Sequence, residues 1–214
     1  MLFRSLLDVG EGQCLVLRSG GQTALIDCGG SEANAGRLVQ KHLAARNETA
    51  IDLLLLPHTG SRSALHSKGV PSLMEYYDLD GQIYTDHPQQ QHLGETTLEL
   101  LPVNWREEPG VFILVRQGGF TMLLMPEVSP AGQRWLLRTM PSLPENTILV
   151  LDSRQAHSPL DASFIMALSP QSVLLSNGHE PEAVPSRELL EQLEALDIPL
   201  YETRLRGTLR ILVP

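Results

Sequence analysis

Seven histidines, two cysteines and a few acids placed at the ends of apolar runs are the residues of this chain that could do chemistry. His58 and His66 lie eight residues apart on one loop, directly after the run Asp52-Leu53-Leu54-Leu55-Leu56-Pro57. His157 and His179 fall on later loops, and Asp27 and Asp152 end β-rich runs. Imidazole and carboxylate are the donors of a divalent-metal site and the partners of general acid–base catalysis. Taken singly, a loop histidine is more often a solvated or hydrogen-bonded ring. His42 falls on a helix, and His87 and His92 sit in a polar stretch with no carboxylate at ligand spacing.

Other chemistries find less support. Gly10-Glu11-Gly12 starts like a dinucleotide loop, but Leu15 stands where the third glycine belongs and no helix follows. No phosphate-cradling Gly-Lys-Ser/Thr loop occurs. Ser176 and His179 are close, yet Gly-x-Ser-x-Gly is absent. Cys14 and Cys28 have no neighbouring base. They lie on the two arms of one predicted hairpin. A two-residue turn at Gly20-Gly21 sets Cys14 opposite Asp27 with the thiols on opposite faces, and a three-residue turn sets the cysteines opposite each other. Two buried free thiols are the expectation.

The elements that must position these residues follow from periodicity. Cys14–Arg18 and Thr23–Asp27 form a hairpin, and Gly29-Gly30 forces a sharp exit. A helix is predicted over 34–46 with Leu38, Val39 and Leu43 as its apolar stripe. Residues 52–56 read as a strand buried on both faces, 71–77 as a short helix and 82–85 as a strand. Residues 86–95 read as a polar loop. Residues 97–101 begin a second set of strands, and 110–115 with 120–125 form a hairpin over Gln117-Gly118-Gly119. Ser129-Pro130 caps a helix to about 139. Strands at 147–151, 172–176, 199–203 and 208–213 alternate with helices at 161–168 and 186–196, the last with Leu189, Leu193 and Leu196 on one face. Hairpins dominate each half while helices interleave. That pattern implies two mixed sheets face to face with helices outside, an α/β (α+β) four-layer αββα sandwich, as one domain over residues 1–214.

Bulk properties narrow the partners. The chain is 42% apolar and 19% charged, as globular proteins are. Its formal charge of −9 repels phosphate backbones, so strong direct nucleic-acid binding is not expected. No apolar run approaches the roughly 18 residues of a membrane span. The chain as given reads as soluble, either standing alone or as part of a longer membrane-tethered protein.

Leu7-Asp8-Val9-Gly10-Glu11-Gly12-Gln13-Cys14, Gly21 to Gly30 with its Leu25-Ile26-Asp27-Cys28-Gly29, and Asp52 to His58 follow one another in a particular order and spacing. They resemble the start of metallo-β-lactamase domains of the ComEC type, which open Asp-Val-Gly-Gln-Gly-Asp, continue to Ile-Asp-x-Gly and reach Asp-x-Leu-x-Leu-x-His. Phe120 to Glu127, Leu149 to Ser158, Ser172 to Gly178 and Ser186 to Leu196 match later family segments more faintly. The resemblance implies a metallo-β-lactamase-like fold and an ancestral role in hydrolysing a nucleic-acid strand beside a DNA-uptake channel.

The same resemblance implies a degenerate metal motif. Where the family carries His-x-Asp-x-Asp-His, this chain has His58-Thr59-Gly60-Ser61-Arg62-Ser63. Gly60 and Arg62 stand at the two Asp positions, and Ser63 at the second His. Glu127 stands at the later Asp, and Ser153-Arg154-Gln155-Ala156 at His-His-Gly-Ser. A catalytic zinc takes three protein ligands and an open position, and Arg62 brings positive charge where a cation would sit. The former cleft would comprise Asp27, His58, Gly60, Arg62, Ser63, Glu127 and Ser153. The expectation is no cofactor and no metal-dependent catalysis, with a role in binding or structural support beside a membrane DNA-uptake channel. The alternative is an active phosphodiesterase or nuclease holding zinc or manganese through His58, His66, Glu127 and His157. Arg62 either fills the cation position and pairs with Glu127 or Asp27, or is a surface loop residue.

Overall fold

The computed structural model describes residues 3–31, 35–57, 63–79, 82–83, 88–103, 110–140, 143–144 and 147–211. Thirteen strands among them form two sheets.

The first sheet has the order β13-β1-β2-β3-β4-β5. It consists of β1 (Phe3–Leu6), β2 (Gly12–Ser19), β3 (Gln22–Gly30), β4 (Leu53–Leu55), β5 (Gln82–Ile83) and β13 (Leu209–Ile211). The second runs β12-β11-β10-β9-β8-β7-β6. Its members are β6 (Gln89–Leu93), β7 (Thr96–Pro102), β8 (Val111–Gln117), β9 (Phe120–Met125), β10 (Ile148–Leu151), β11 (Ser172–Leu175) and β12 (Leu200–Glu202). Antiparallel hairpins build β1–β3 and β6–β9, and parallel pairing adds β4, β5 and β10 to β12.

Successive side chains of a strand point to opposite faces, and the apolar runs sort accordingly. Leu15, Leu17, Ala24, Ile26, Leu53 and Leu55 of the first sheet meet Val111, Ile113, Val115, Met122, Leu124, Val150 and Leu174 of the second. The alternate residues Cys14, Val16, Leu25, Cys28 and Leu54 pack under α1 (Ala35–Ala44) and α3 (Val70–Met74). Phe112, Leu114, Leu123, Leu149, Val173 and Leu175 pack under α4 (Pro130–Thr139), α5 (Ala162–Leu168) and α6 (Arg187–Ala195). Helix, sheet, sheet, helix is the four-layer αββα sandwich expected from the hairpin pattern. Ser129, Asp161 and Ser186 cap α4, α5 and α6 by accepting backbone N–H bonds, as their types favour. No helix among the described residues is long and apolar enough to cross a membrane.

Four details differ from the sequence reading. The polar stretch read as a loop contains β6, whose Gln89 to Leu93 pair with Leu100 to Thr96 of β7. It is an edge strand that buries only Leu93, so its glutamines and His92 carry no apolar alternation to see. Leu38 is 37% exposed, because the buried face of α1 is Ala35, Gly36, Val39 and Leu43. Leu196 lies past the end of α6 at its C-cap and is likewise exposed. The thiols also disobey the simple register. The β2–β3 turn is the two-residue one, with Ser19 opposite Gln22, but the pairing slips between Gln13 and Leu15. That bulge, with Asp27 at φ 58°, turns Cys14 and Cys28 to the same side beneath α1 as buried free thiols. They hydrogen-bond, and this contact first, then burial, pushes the Cys14 thiol well above the usual range.

Candidate functional site

The carboxyl ends of β3 and β10 come together at one edge of the sandwich. Asp27 near the end of β3 and Asp152 just past β10 are both buried, at 0% and 2% exposure. His66, 3% exposed, lies between them on the short α2 (Ser63–His66). Its Nδ1 is 3.3 Å from Asp27 Oδ2 and its Nε2 is 3.0 Å from Asp152 Oδ2.

Local sequence explains how this histidine reaches the interior. The Gly29 backbone lies so close to α2 and the turn after it that a Cβ there would sit 2.0 Å from the Leu65 carbonyl oxygen. The Gly69 N–H donates to the Cys28 carbonyl at 2.7 Å, stapling the other end of that segment to β3. Asp152 is fixed from its other oxygen. Oδ1 accepts the Arg154 N–H at 2.8 Å as the cap of the 3-10 turn Ser153–His157. One histidine thus sits between two acids from the two sheets.

The remaining sequence candidates spread around this clasp. Glu127 is half-buried in the turn after β9. Its neighbour Val128 is tied to the 3-10 turn by an N–H bond to Gln155 Oε1 at 3.1 Å and to α4 by Gln133 Nε2 at 3.3 Å. Ser153 is buried at 5% exposure, and His157 is exposed. Both line a cavity of about 240 Å³ together with Glu11, Glu180, Glu182 and Ala183. Asn177 Nδ2 donates to the Ala183 carbonyl at 3.1 Å and to Glu202 Oε2 at 2.9 Å, so it fixes one wall of that cavity. His179 pairs with Asp8 at 3.1 Å beside it. His58, Gly60 and Arg62 lie outside the described residues, as does any pairing of Arg62 with Asp27 or Glu127. The side chain of Ser63 is likewise not described, although its backbone opens α2.

Sequence reasoning named His66 and set Asp27 and Asp152 at strand ends nearby, but did not pair the three. It overlooked Glu180 and Glu182 altogether, and it used Glu11 only as part of a glycine-rich stretch. Nothing in their spacing links positions this far apart, because only the sheet edges bring them together.

No protein-family model matches the chain, and no curated protein matches it in sequence. Solved structures do. The metallo-β-lactamase fold protein YhfI from Bacillus subtilis superposes with a TM-score of 0.63 at 11% identity, covering 99% of this chain and 100% of that one. The fold is the metallo-β-lactamase fold. Igni18, a metallo hydrolase from Ignicoccus hospitalis, gives a TM-score of 0.59 at 11% identity over 99% of this chain and 100% of its own. CmlA, a diiron β-hydroxylase from Streptomyces venezuelae, gives 0.61 at 17% identity over 98% of this chain and 54% of its own. Among the described residues no three of His, Cys, Asp and Glu are arranged to hold a metal.

Proposed function

We propose that this chain is a ComEC-type domain of the metallo-β-lactamase fold in which metal-dependent hydrolysis has given way to a binding or supporting role beside a DNA-uptake channel. The observation that carries the reading is the Asp27–His66–Asp152 clasp. A protein histidine, once protonated, would supply between two buried acids the positive charge that a metal supplies in metal-bearing sites. The sequence supports it further, with Gly60, Arg62 and Ser63 after His58, and Ser153 and Arg154 in place of paired histidines. The charge of −9 supports a partner other than free nucleic acid.

Metal analysis and hydrolysis tested together decide it. The purified protein is incubated with zinc and manganese, freed of unbound ions, analysed for metal, and assayed on single-stranded DNA and on a phosphodiester reporter. The expected result is no stoichiometric retention and no metal-stimulated cleavage. Retained metal that is lost in His58→Ala, with matching loss of cleavage, would overturn the reading.

A further inference from the structure

The sandwich opens along the margin where both sheets end. There β13 is the outer strand of the first sheet and β12 of the second. A groove of about 240 Å³ runs between them, walled by Ile148, Leu174, Leu209 and Ile211, with Ser172 and Tyr201 beside these. Its one charged lining residue is Arg210, and among the described residues no acid lines it, in a chain of formal charge −9. Ile148 and Ser172 begin β10 and β11, whereas Asp152 follows the end of β10, so the groove lies away from the clasp. Arg4 backs this groove. It lies opposite Ile211 in the β1–β13 ladder. Opposed residues project from the same face of a sheet, so its side chain enters the space between the sheets one strand further in. It stacks there 3.4 Å from the centroid of Phe120, which packs with Ile148 against the core between the sheets. Arg4 is 1% exposed, and among the described residues it pairs with no acid and its Nε and Nη1 have no acceptor. Phe120 does not satisfy them, because the ring covers the guanidinium face while the N–H donors lie in its plane. Burial pushes Arg4 down to about 9, which leaves it a cation at neutral pH. A buried cation with unused donors is costly, and what it lacks is a planar anion.

We propose that this groove binds an aliphatic monocarboxylate, its carboxylate accepting N–H bonds from Arg4 and its tail covered by Ile148, Leu174, Leu209 and Ile211. Carboxylate and guanidinium match in charge and planarity. The apolar walls stabilise a hydrocarbon tail, and they offer too few polar partners for a sugar or a nucleotide. Positive charge at the rim draws an anion in. Arg210 supplies part of it, and Arg206 the rest, with its guanidinium 5.2 Å from the centroid of the half-exposed Tyr201 ring. This inference goes beyond the binding or supporting role proposed above and does not depend on it.

The test titrates the whole chain at pH 7 with octanoate, followed by calorimetry and by backbone NMR shifts. Octanol, of the same length, is the neutral control. Saturable binding of octanoate is expected, with shifts at Ile148, Ser172 and Ile211, and octanol should bind about ten-fold or more weakly. Arg4→Met removes an unpaired buried charge and should fold. It should lose about ten-fold or more of the octanoate affinity and bind octanol no worse. Arg210→Gln should weaken octanoate by less. Ser172→Phe fills the groove without touching a charge and should abolish binding of both. No saturable binding of octanoate overturns the proposal, as does octanol binding equally well to the unaltered chain. Octanoate affinity that Arg4→Met leaves unchanged, with the loss confined to Arg210→Gln, overturns it too.

Discussion

Replacing His66 by alanine should destabilise the protein more than almost any other polar substitution in it. The ring lies 3.3 Å from one buried carboxylate and 3.0 Å from another. For a protonated ring and an effective dielectric of roughly 20, each contact attracts by about 5 kcal/mol. Desolvation of three ionised groups offsets most of that sum. What survives is the asymmetry: removing the ring takes a close partner from Asp27 and from Asp152, both of them buried. Breaking a buried pair in this way costs about 3–5 kcal/mol. For a chain of this size that is a fall of roughly 6–20 °C in melting temperature. Urea unfolding followed by circular dichroism measures it, with the m-value as the check on two-state behaviour. A cycle with Asp152→Asn sharpens the test. Asparagine keeps an oxygen for the Arg154 N–H while removing charge, so the second substitution should hurt much less once His66 is gone, a coupling of about 1–3 kcal/mol. If His66→Ala stays within about 1 kcal/mol of wild type at unchanged m, the ring does not hold the acids and the clasp is not the metal's replacement.

Three further outcomes are expected. Burial first, then the charges of Arg46 and Arg210, pushes His42 down from 6.5 to about 4. The unfolded chain therefore takes up this proton before the folded one does, and stability from this group falls as pH drops from 6.5 to about 4 and then levels off. His42→Gln should flatten urea midpoints across that window, and an unchanged slope would contradict the assignment. Arg4, 1% exposed, stacks 3.4 Å from the centroid of Phe120, and its Nε and Nη1 have no acceptor among the described residues. Burial pushes it down to about 9, so Arg4→Met should be neutral or stabilising at pH 7, and a loss beyond about 2 kcal/mol by urea unfolding would refute that. The Cys14 and Cys28 thiols should resist a thiol-reactive dye in the native protein and react fully in denaturant, since both are buried and Cys14 is held protonated. Rapid native labelling would show that the hairpin opens.

Much of the fold was legible because the strands bury alternate residues in different layers. The run from Phe112 to Val115 is apolar throughout since both faces of β8 are covered, while the turn at Gly118-Gly119 marks its hairpin with β9. Capping serines and Asp161 fixed the helix starts because their side chains satisfy local N–H groups. β6 was illegible because an edge strand with one buried residue needs only backbone partners, and any side chain can supply those. The thiol orientation was illegible because a bulge depends on the left-handed conformation of Asp27, which no neighbour in sequence demands. The site divides in the same way. The changes after His58 were visible as departures from a motif. The burial of His66 was not, since it depends on the close approach of Gly29 to Leu65 across two elements.

The pairing of β1 with β13 bears on how the molecule assembles. Arg4 lies opposite Ile211, and Leu6 opposite Leu209, so neighbours in the first sheet are separated by nearly the whole chain. Closing so long a loop forfeits entropy before any contact compensates for it. During synthesis β2, β3 and β4 can pair as they emerge, whereas β1 keeps one unsatisfied edge until the last strand arrives. A chain in which β13 has not yet docked would hold a nearly complete sandwich with an open, sticky margin at β1. The docking of β13 would thus govern the kinetic vulnerability of the nascent protein more than its equilibrium stability.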